Sequence, residues 1–167
     1  TPAAKSILDF GCGTGKHDAL LIESGFEVTG LDRSQAMLDL AKKRGFQDRG
    51  RFLHIEQTAE ISNRSMDLCL SLFDVVSYLT TDEDLKYFFE LMQLKSKPSA
   101  PLIFDFWYLP SVIHQKPETR KKVFSHQNQT IIRISESSLD CNTSCVTASH
   151  DFYVLEKEQV VDNFSES

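Results

Sequence analysis

The sequence predicts an α/β fold with a mostly parallel sheet, extended by an antiparallel β-meander. Three observations carry this. Short apolar runs alternate with amphipathic stretches as far as Pro110. A glycine turn, Gly11-Cys12-Gly13-Thr14-Gly15, follows the first apolar run. From about Gln129 the apolar period changes to two.

The elements follow in order. Ser6-Ile7-Leu8-Asp9-Phe10 is a buried strand that breaks into the glycine turn. The turn opens a helix carrying Ala19-Leu20-Leu21-Ile22, which Gly25 stops. Glu27 to Leu31 is a second strand with Asp32 at its end. Ser34 caps the next helix, which shows Met37, Leu40 and Ala41 on one face and ends near Gly45. Arg51 to Ile55 and Met66 to Phe73 are the third and fourth strands. The second half of the fourth is nearly all apolar, as a strand covered on both faces should be. Thr81-x-x-Asp84 resembles a capping box, after which Leu85, Phe88, Phe89 and Met92 recur at helical spacing. A turn at Lys97 to Pro101 leads to a fifth strand, Leu102 to Phe106. His114 is placed in a loop. Three extended segments complete the chain: Thr130 to Ile134, Val146 to Val154, and Gln159 to Phe164. Their turns fall at Asp140 to Thr143 and Glu156 to Glu158. Residues 1–110 are therefore expected to form a ligand-binding core. Residues 111–167 add an antiparallel segment to the same domain, as a lid over the site or a dimer wall.

Composition narrows the function. The chain has 167 residues and 41% apolar content, enough for one domain with a real core. Its net charge of −6, without a basic cluster, argues against nucleic acid or anionic membranes as partners. No apolar run approaches the length of a membrane span, and no leader peptide is visible. The four cysteines, Cys12, Cys69, Cys141 and Cys145, match no C-x-x-C pattern. They read as reduced thiols of a cytoplasmic protein with no metal.

The glycine turn specifies its ligand by what it excludes. G-x-G-x-x-G would need glycine at position 16, where the chain has Lys16. A phosphate loop would need Ser or Thr after Gly15-Lys16, where the chain has His17. Asp9, two residues before the first glycine, would repel a pyrophosphate and attract a cationic amine or sulfonium. Asp32 follows Gly11 at about the 20-residue distance where an acid meets ribose hydroxyls. A carboxylate accepts from both neighbouring hydroxyls. His17, in the first turn of a helix, reads as neutral and structural.

These residues carry a resemblance. Ile7 to Gly15, then Val28-Thr29-Gly30-Leu31-Asp32-Arg33-Ser34 with Met37-Leu38, are similar to the class I S-adenosylmethionine-dependent methyltransferases. The resemblance implies a Rossmann-like, doubly wound sheet. It also implies that Asp9 meets the methionine end of S-adenosylmethionine, that Gly11, Gly13 and Gly15 line it with Cys12 and Thr14, and that Asp32 holds the ribose. Arg33 and Met37 would flank the adenine, Glu56 and Gln57 would meet it, and Leu72 and Phe73 would lie along the cofactor.

One branch resembles the chain more closely. Leu72-Phe73-Asp74-Val75-Val76-Ser77-Tyr78-Leu79 and Ile103-Phe104-Asp105-Phe106-Trp107-Tyr108-Leu109-Pro110, followed by the meander, look like enzymes that dimethylate the amine of nucleotide-linked amino sugars. That implies a small-molecule amine as acceptor and S-adenosylhomocysteine as product. Asp105, Tyr108 and Asp74 are the catalytic candidates, and Trp107 with Tyr108 forms an aromatic wall against a sugar or amine. Members of this branch extend beyond the chain at both ends, so the sheet is expected to be incomplete here and the chain a piece of a longer protein. A homodimer, a sugar O-methyltransferase and a cofactor-binding module without catalysis stay open. A nicotinamide-dependent dehydrogenase is disfavoured by G-x-G-x-G and Asp9.

Overall fold

A computed structural model describes residues 5–115, 118–126, 129–140, 142–157 and 159–166. The chain divides after Phe106 into two compact units. The first contains β1 (Ser6–Phe10), α1 (Lys16–Glu23), β2 (Glu27–Asp32), α2 (Gln35–Lys43), β3 (Gly50–His54), β4 (Leu68–Ser71), α3 (Asp82–Lys95) and β5 (Leu102–Phe104). Its five strands lie in the order β3-β2-β1-β4-β5, and every pair is parallel. Short 3-10 segments at Gln47–Arg49, Ile55–Glu60 (kinked at Gln57) and Val75–Tyr78 follow no apolar period, which is why the sequence does not announce them.

Strand alternation sorts the core into two faces. Leu8 and Phe10 of β1 pack with Phe88, Leu91 and Met92 of α3. Ile7 of β1 points the other way and packs with Leu21 and Ile22 of α1. Helices on both faces make the sheet doubly wound. The same alternation turns Asp9 to the Ile7 face, towards α1.

One helix face differs from the sequence expectation. In α2 the buried residues are Leu38 and Ala41, while Met37 and Leu40 are about half exposed. The helix rests on its i, i+3 pair, so its other apolar residues turn to solvent. In α1 Leu20 is exposed and the buried residue is a charged one, Asp18. The predicted caps are present. The Ser34 hydroxyl accepts from Met37 N–H, and the Thr81 hydroxyl accepts from Asp84 N–H at 3.1 Å.

The second unit holds α4 (Leu109–Gln115) and a four-stranded antiparallel sheet in the order β6-β7-β8-β9. Its strands are β6 (Arg120–His126), β7 (Gln129–Asp140), β8 (Cys145–Glu156) and β9 (Gln159–Glu166). The meander thus has four strands rather than three. β6 escapes a pattern search because Arg120, Lys121 and Lys122 hide its period and every described side chain in it is exposed. His114 lies in a helix, not a loop. Phe152 of β8 stacks on Phe164 of β9 at 4.7 Å. Cys141 and Glu158, in the expected turns, lie outside the described residues. No helix among the described residues is long and apolar enough to cross a membrane.

Candidate functional site

The predicted cofactor residues gather at the carboxyl ends of β1 to β4. The glycine turn is tied to the neighbouring strand, since Gly11 N–H and Cys12 N–H both donate to the Leu31 carbonyl, at 2.8 and 3.0 Å. Gly11 has φ +83, and a Cβ there would lie 2.5 Å from both methyls of Val75. Only glycine fits between the two segments. Gly13 also has a positive φ, +54, but nothing lies within 4 Å of where its Cβ would be. The backbone at Gly13 therefore borders open space that a ligand can approach. Cys12 turns away from this space into a cluster with Leu38, Ala41 and Phe52, and burial pushes its thiol well above the usual range. The Thr14 carbonyl accepts from Arg44 Nε at 2.6 Å.

Asp32 sits at the end of β2, beside the turn. Its Oδ2 accepts from Gly13 N–H and its Oδ1 from Ser34 N–H, each at 2.8 Å. Each oxygen keeps a further lone pair for an outside donor. The carboxylate is thus oriented by the backbone and still able to accept two hydroxyls.

Asp9 is 5% exposed, and its Oδ1 has no hydrogen-bond partner among the described residues. Its cross-strand neighbour on β2 is Gly30, so no side chain covers it from there. Asp18 of α1 is fully buried, and neither of its oxygens accepts a hydrogen bond from a described donor. The two carboxyls are hydrogen-bond neighbours once one proton lies between them. Burial first, then the charge of Asp18, pushes Asp9 up to about 8, with His17 opposing and Asp32 adding. Burial raises Asp18 to about 6, and the hydrogen bond with Asp9 pulls it back. Asp18 was not among the residues singled out in the sequence. The available signal was its spacing, since it precedes Leu21 and Ile22 by three and four residues and so shares their inward face.

A strained turn faces the glycine loop. Phe73 and Asp74, just after β4, both have positive φ, +66 and +60. Asp105 holds them there. Its Oδ2 accepts from Phe73 N–H at 3.1 Å and its Oδ1 from Asp74 N–H at 3.0 Å. Such a conformation persists only where its surroundings impose it. Phe73 is exposed and its ring stacks on His17 at 4.4 Å. Leu72 instead packs beside Ile7, Val28 and Leu70.

At the end of β3, the His54 Nε2 hydrogen-bonds to the Arg33 carbonyl at 2.9 Å, which fixes that nitrogen as the donor. Gln57 is committed locally: its Oε1 accepts from His54 N–H and its Nε2 donates to Glu60. The side chains of Glu56, Arg33 and Met37 are exposed. Trp107 and Tyr108 begin the second unit, where the Tyr108 carbonyl accepts from Ser111 and Val112 at the start of α4.

Comparison with known proteins agrees with this architecture. Residues 7–99 match the methyltransferase domain family. The YqeM protein of Bacillus subtilis is 29% identical over 168 residues, covering 99% of this chain and 66% of its own length. The dTDP-3-amino-3,4,6-trideoxy-alpha-D-glucopyranose N,N-dimethyltransferase of Streptomyces venezuelae is 27% identical over 167 residues, covering 99% of this chain and 68% of its own. The crystal structure of Streptomyces venezuelae DesVI superposes with a TM-score of 0.78 at 25% identity, over 99% of this chain and 68% of that one. The chain thus spans about two-thirds of the length of these relatives. With more than half of its residues matched and a Rossmann-like parallel sheet carrying the glycine turn, the chain belongs to the methyltransferase domain family.

Proposed function

We propose that this chain carries the S-adenosylmethionine site of an enzyme that methylates the amine of a nucleotide-linked amino sugar. The observation that carries the reading is the unpartnered Oδ1 of buried Asp9, beside a glycine turn open at Gly13. A buried carboxylate without a donor favours a cation, and the α-ammonium of the cofactor's methionine end is one. Asp32, with backbone donors on one side of each oxygen, suits the two ribose hydroxyls. Met37 and Arg33 would border the adenine, with Glu56 and Gln57 on its other edge. Phe73 would lie along the cofactor, while Leu72 packs inward beside Ile7. The sugar amine as acceptor is supported by the Streptomyces venezuelae relative. A cytoplasmic location goes with the reading.

When bound, S-adenosylmethionine supplies a methyl group activated on a sulfonium, and a neutral amine accepts it. The chain's own residues bind and orient. Holding two reactants at near-attack geometry is worth ~7–11 kcal/mol of a barrier, and a deprotonated amine needs little help from a base. Asp105 acts as a positioning residue, since its two oxygens hold the Phe73 and Asp74 N–H groups in the left-handed turn. Asp74, beside the glycine turn, is left to orient the amine.

Calorimetry with S-adenosylhomocysteine tests the cofactor. Binding is expected for the wild type, and Asp32→Ala should weaken it at least ~10-fold, the cost of one or two lost hydrogen bonds to a charged acceptor. Absence of heat with the wild type would refute the reading. The acceptor is tested by mass spectrometry of a dTDP-amino sugar incubated with the full-length enzyme. Gain of one or two methyl groups on nitrogen is expected, and methylation of a hydroxyl instead would make it an O-methyltransferase.

A further inference from the structure

We infer that Asp18, together with Asp9, holds one buried proton that a cationic ligand must displace, so that Asp18 couples cofactor binding to proton release. The inference rests on the cofactor reading above and adds a second acid to the site.

The argument is geometric. Strand alternation turns Asp9 to the α1 face, and α1 places Asp18 on its inward face with Leu21 and Ile22. Asp9 is 5% exposed and Asp18 fully buried. Asp9 Oδ1 and both Asp18 oxygens lack a partner among the described residues. Two ionised carboxylates left so close and so dry repel each other, and neither can donate to the other. One proton between them removes the repulsion and supplies an O–H···O hydrogen bond. The surrounding ionisable groups do not replace it. His17, on α1, stacks on Phe73 and favours the charged form of Asp9; Asp32, at the end of β2, opposes it. The Cys12 thiol, in the turn, is held protonated by burial. Asp9 at about 8 and Asp18 at about 6 bracket neutral pH, so the pair carries close to one proton there.

An ammonium group that donates to Asp9 Oδ1 takes over the proton's electrostatic task. The O–H bond of the carboxyl breaks and its proton passes to solvent. The carboxyl keeps the electron pair and accepts the ammonium N–H. One positive charge enters as one leaves, so the net charge buried at the pair is unchanged. A neutral adenine nucleoside lacking the amino-acid tail provides no such charge.

Calorimetric titration with S-adenosylhomocysteine, in buffers of different ionisation enthalpy, reads the released protons directly. The wild type should release close to one proton at pH 7. Its affinity should rise by up to tenfold per pH unit between about pH 6 and 8. Asp18→Asn should bind with no proton release and a flat pH profile, since its amide donates permanently to Asp9. The infrared band of a protonated carboxyl in the wild type should fade on ligand addition, a readout that needs no variant. Binding to the wild type without proton release, or with the band unchanged, overturns the inference and leaves the cofactor reading standing. Full proton release retained in folded Asp18→Asn overturns the role of Asp18. No heat at all with the wild type overturns the cofactor reading and the coupling together.

Discussion

Gly11 and Gly13 share a positive φ yet have opposite surroundings, and substitution separates their roles. At Gly11 a methyl group meets both Val75 methyls at 2.5 Å. Gly11→Ala should therefore cost at least ~2 kcal/mol of stability, from the left-handed backbone and the overlap. At Gly13 a methyl group meets nothing within 4 Å. Gly13→Ala should cost only about 1–2 kcal/mol, the backbone term alone, but weaken S-adenosylhomocysteine binding severely because the methyl fills ligand space. Urea denaturation and calorimetry on both variants check this. A Gly13→Ala protein with undiminished affinity would place the ligand elsewhere.

At the scale of elements, α3 is anchored at both ends by polar contacts. The Thr81 hydroxyl accepts from Asp84 N–H at its start. Thr81→Ala should cost about 1 kcal/mol, as for other lost caps. Near its end Lys95, only 4% exposed, donates to the Ile61 carbonyl at 2.7 Å and to Asn63 Oδ1 at 2.9 Å. The bonds tie the loop before β4 to the helix. Lys95→Met keeps the stem volume but leaves the Ile61 carbonyl unpaired, for a loss of about 1–3 kcal/mol. Urea denaturation of each variant, with the cap loss the smaller, checks the ranking. The turn after β4 depends on a different element, β5 and its continuation, because Asp105 accepts from Phe73 and Asp74. An acid at the end of a strand, readable as a catalytic base, here fixes a neighbouring backbone.

For the whole molecule, the buried pair sets a pH dependence of stability opposite to that usual for acids. Asp9 and Asp18 have folded values above the ordinary 3.8, at about 8 and about 6. The folded protein therefore binds more protons than the unfolded chain between these values. Their contribution is complete below about pH 4 and is lost as pH rises through about 6 to 8. Asp67 works in the other direction. Lys97, then the N–H groups of Ser6 and Lys5 with the Ser6 hydroxyl, hold it well below the carboxylate range. Its contribution is present above about pH 4 and lost only in stronger acid. The thermal midpoint of the ligand-free protein should accordingly be higher at pH 5 than at pH 8, and Asp18→Asn should flatten the difference. An equal or higher midpoint at pH 8 in the wild type would contradict the buried pair.

The sequence alone determined the parallel core and its glycine turn. Strand and helix periods, the glycines at 11, 13 and 15, Ser34 and Thr81 as caps, and the distance from Gly11 to Asp32 are local signals, and local physics settles them. β6 and α4 were not legible, because exposed charged residues and a Pro-containing segment show no apolar period. Tertiary structure alone decided what depends on neighbours distant in the chain. Val75 makes Gly11 obligatory, Asp105 imposes the left-handed pair at Phe73 and Asp74, and α1 docks on β1 so that Asp18 meets Asp9. An acid's environment is made by the elements packed around it, so Asp18 reads as an ordinary helical residue until the sheet and helix close over it.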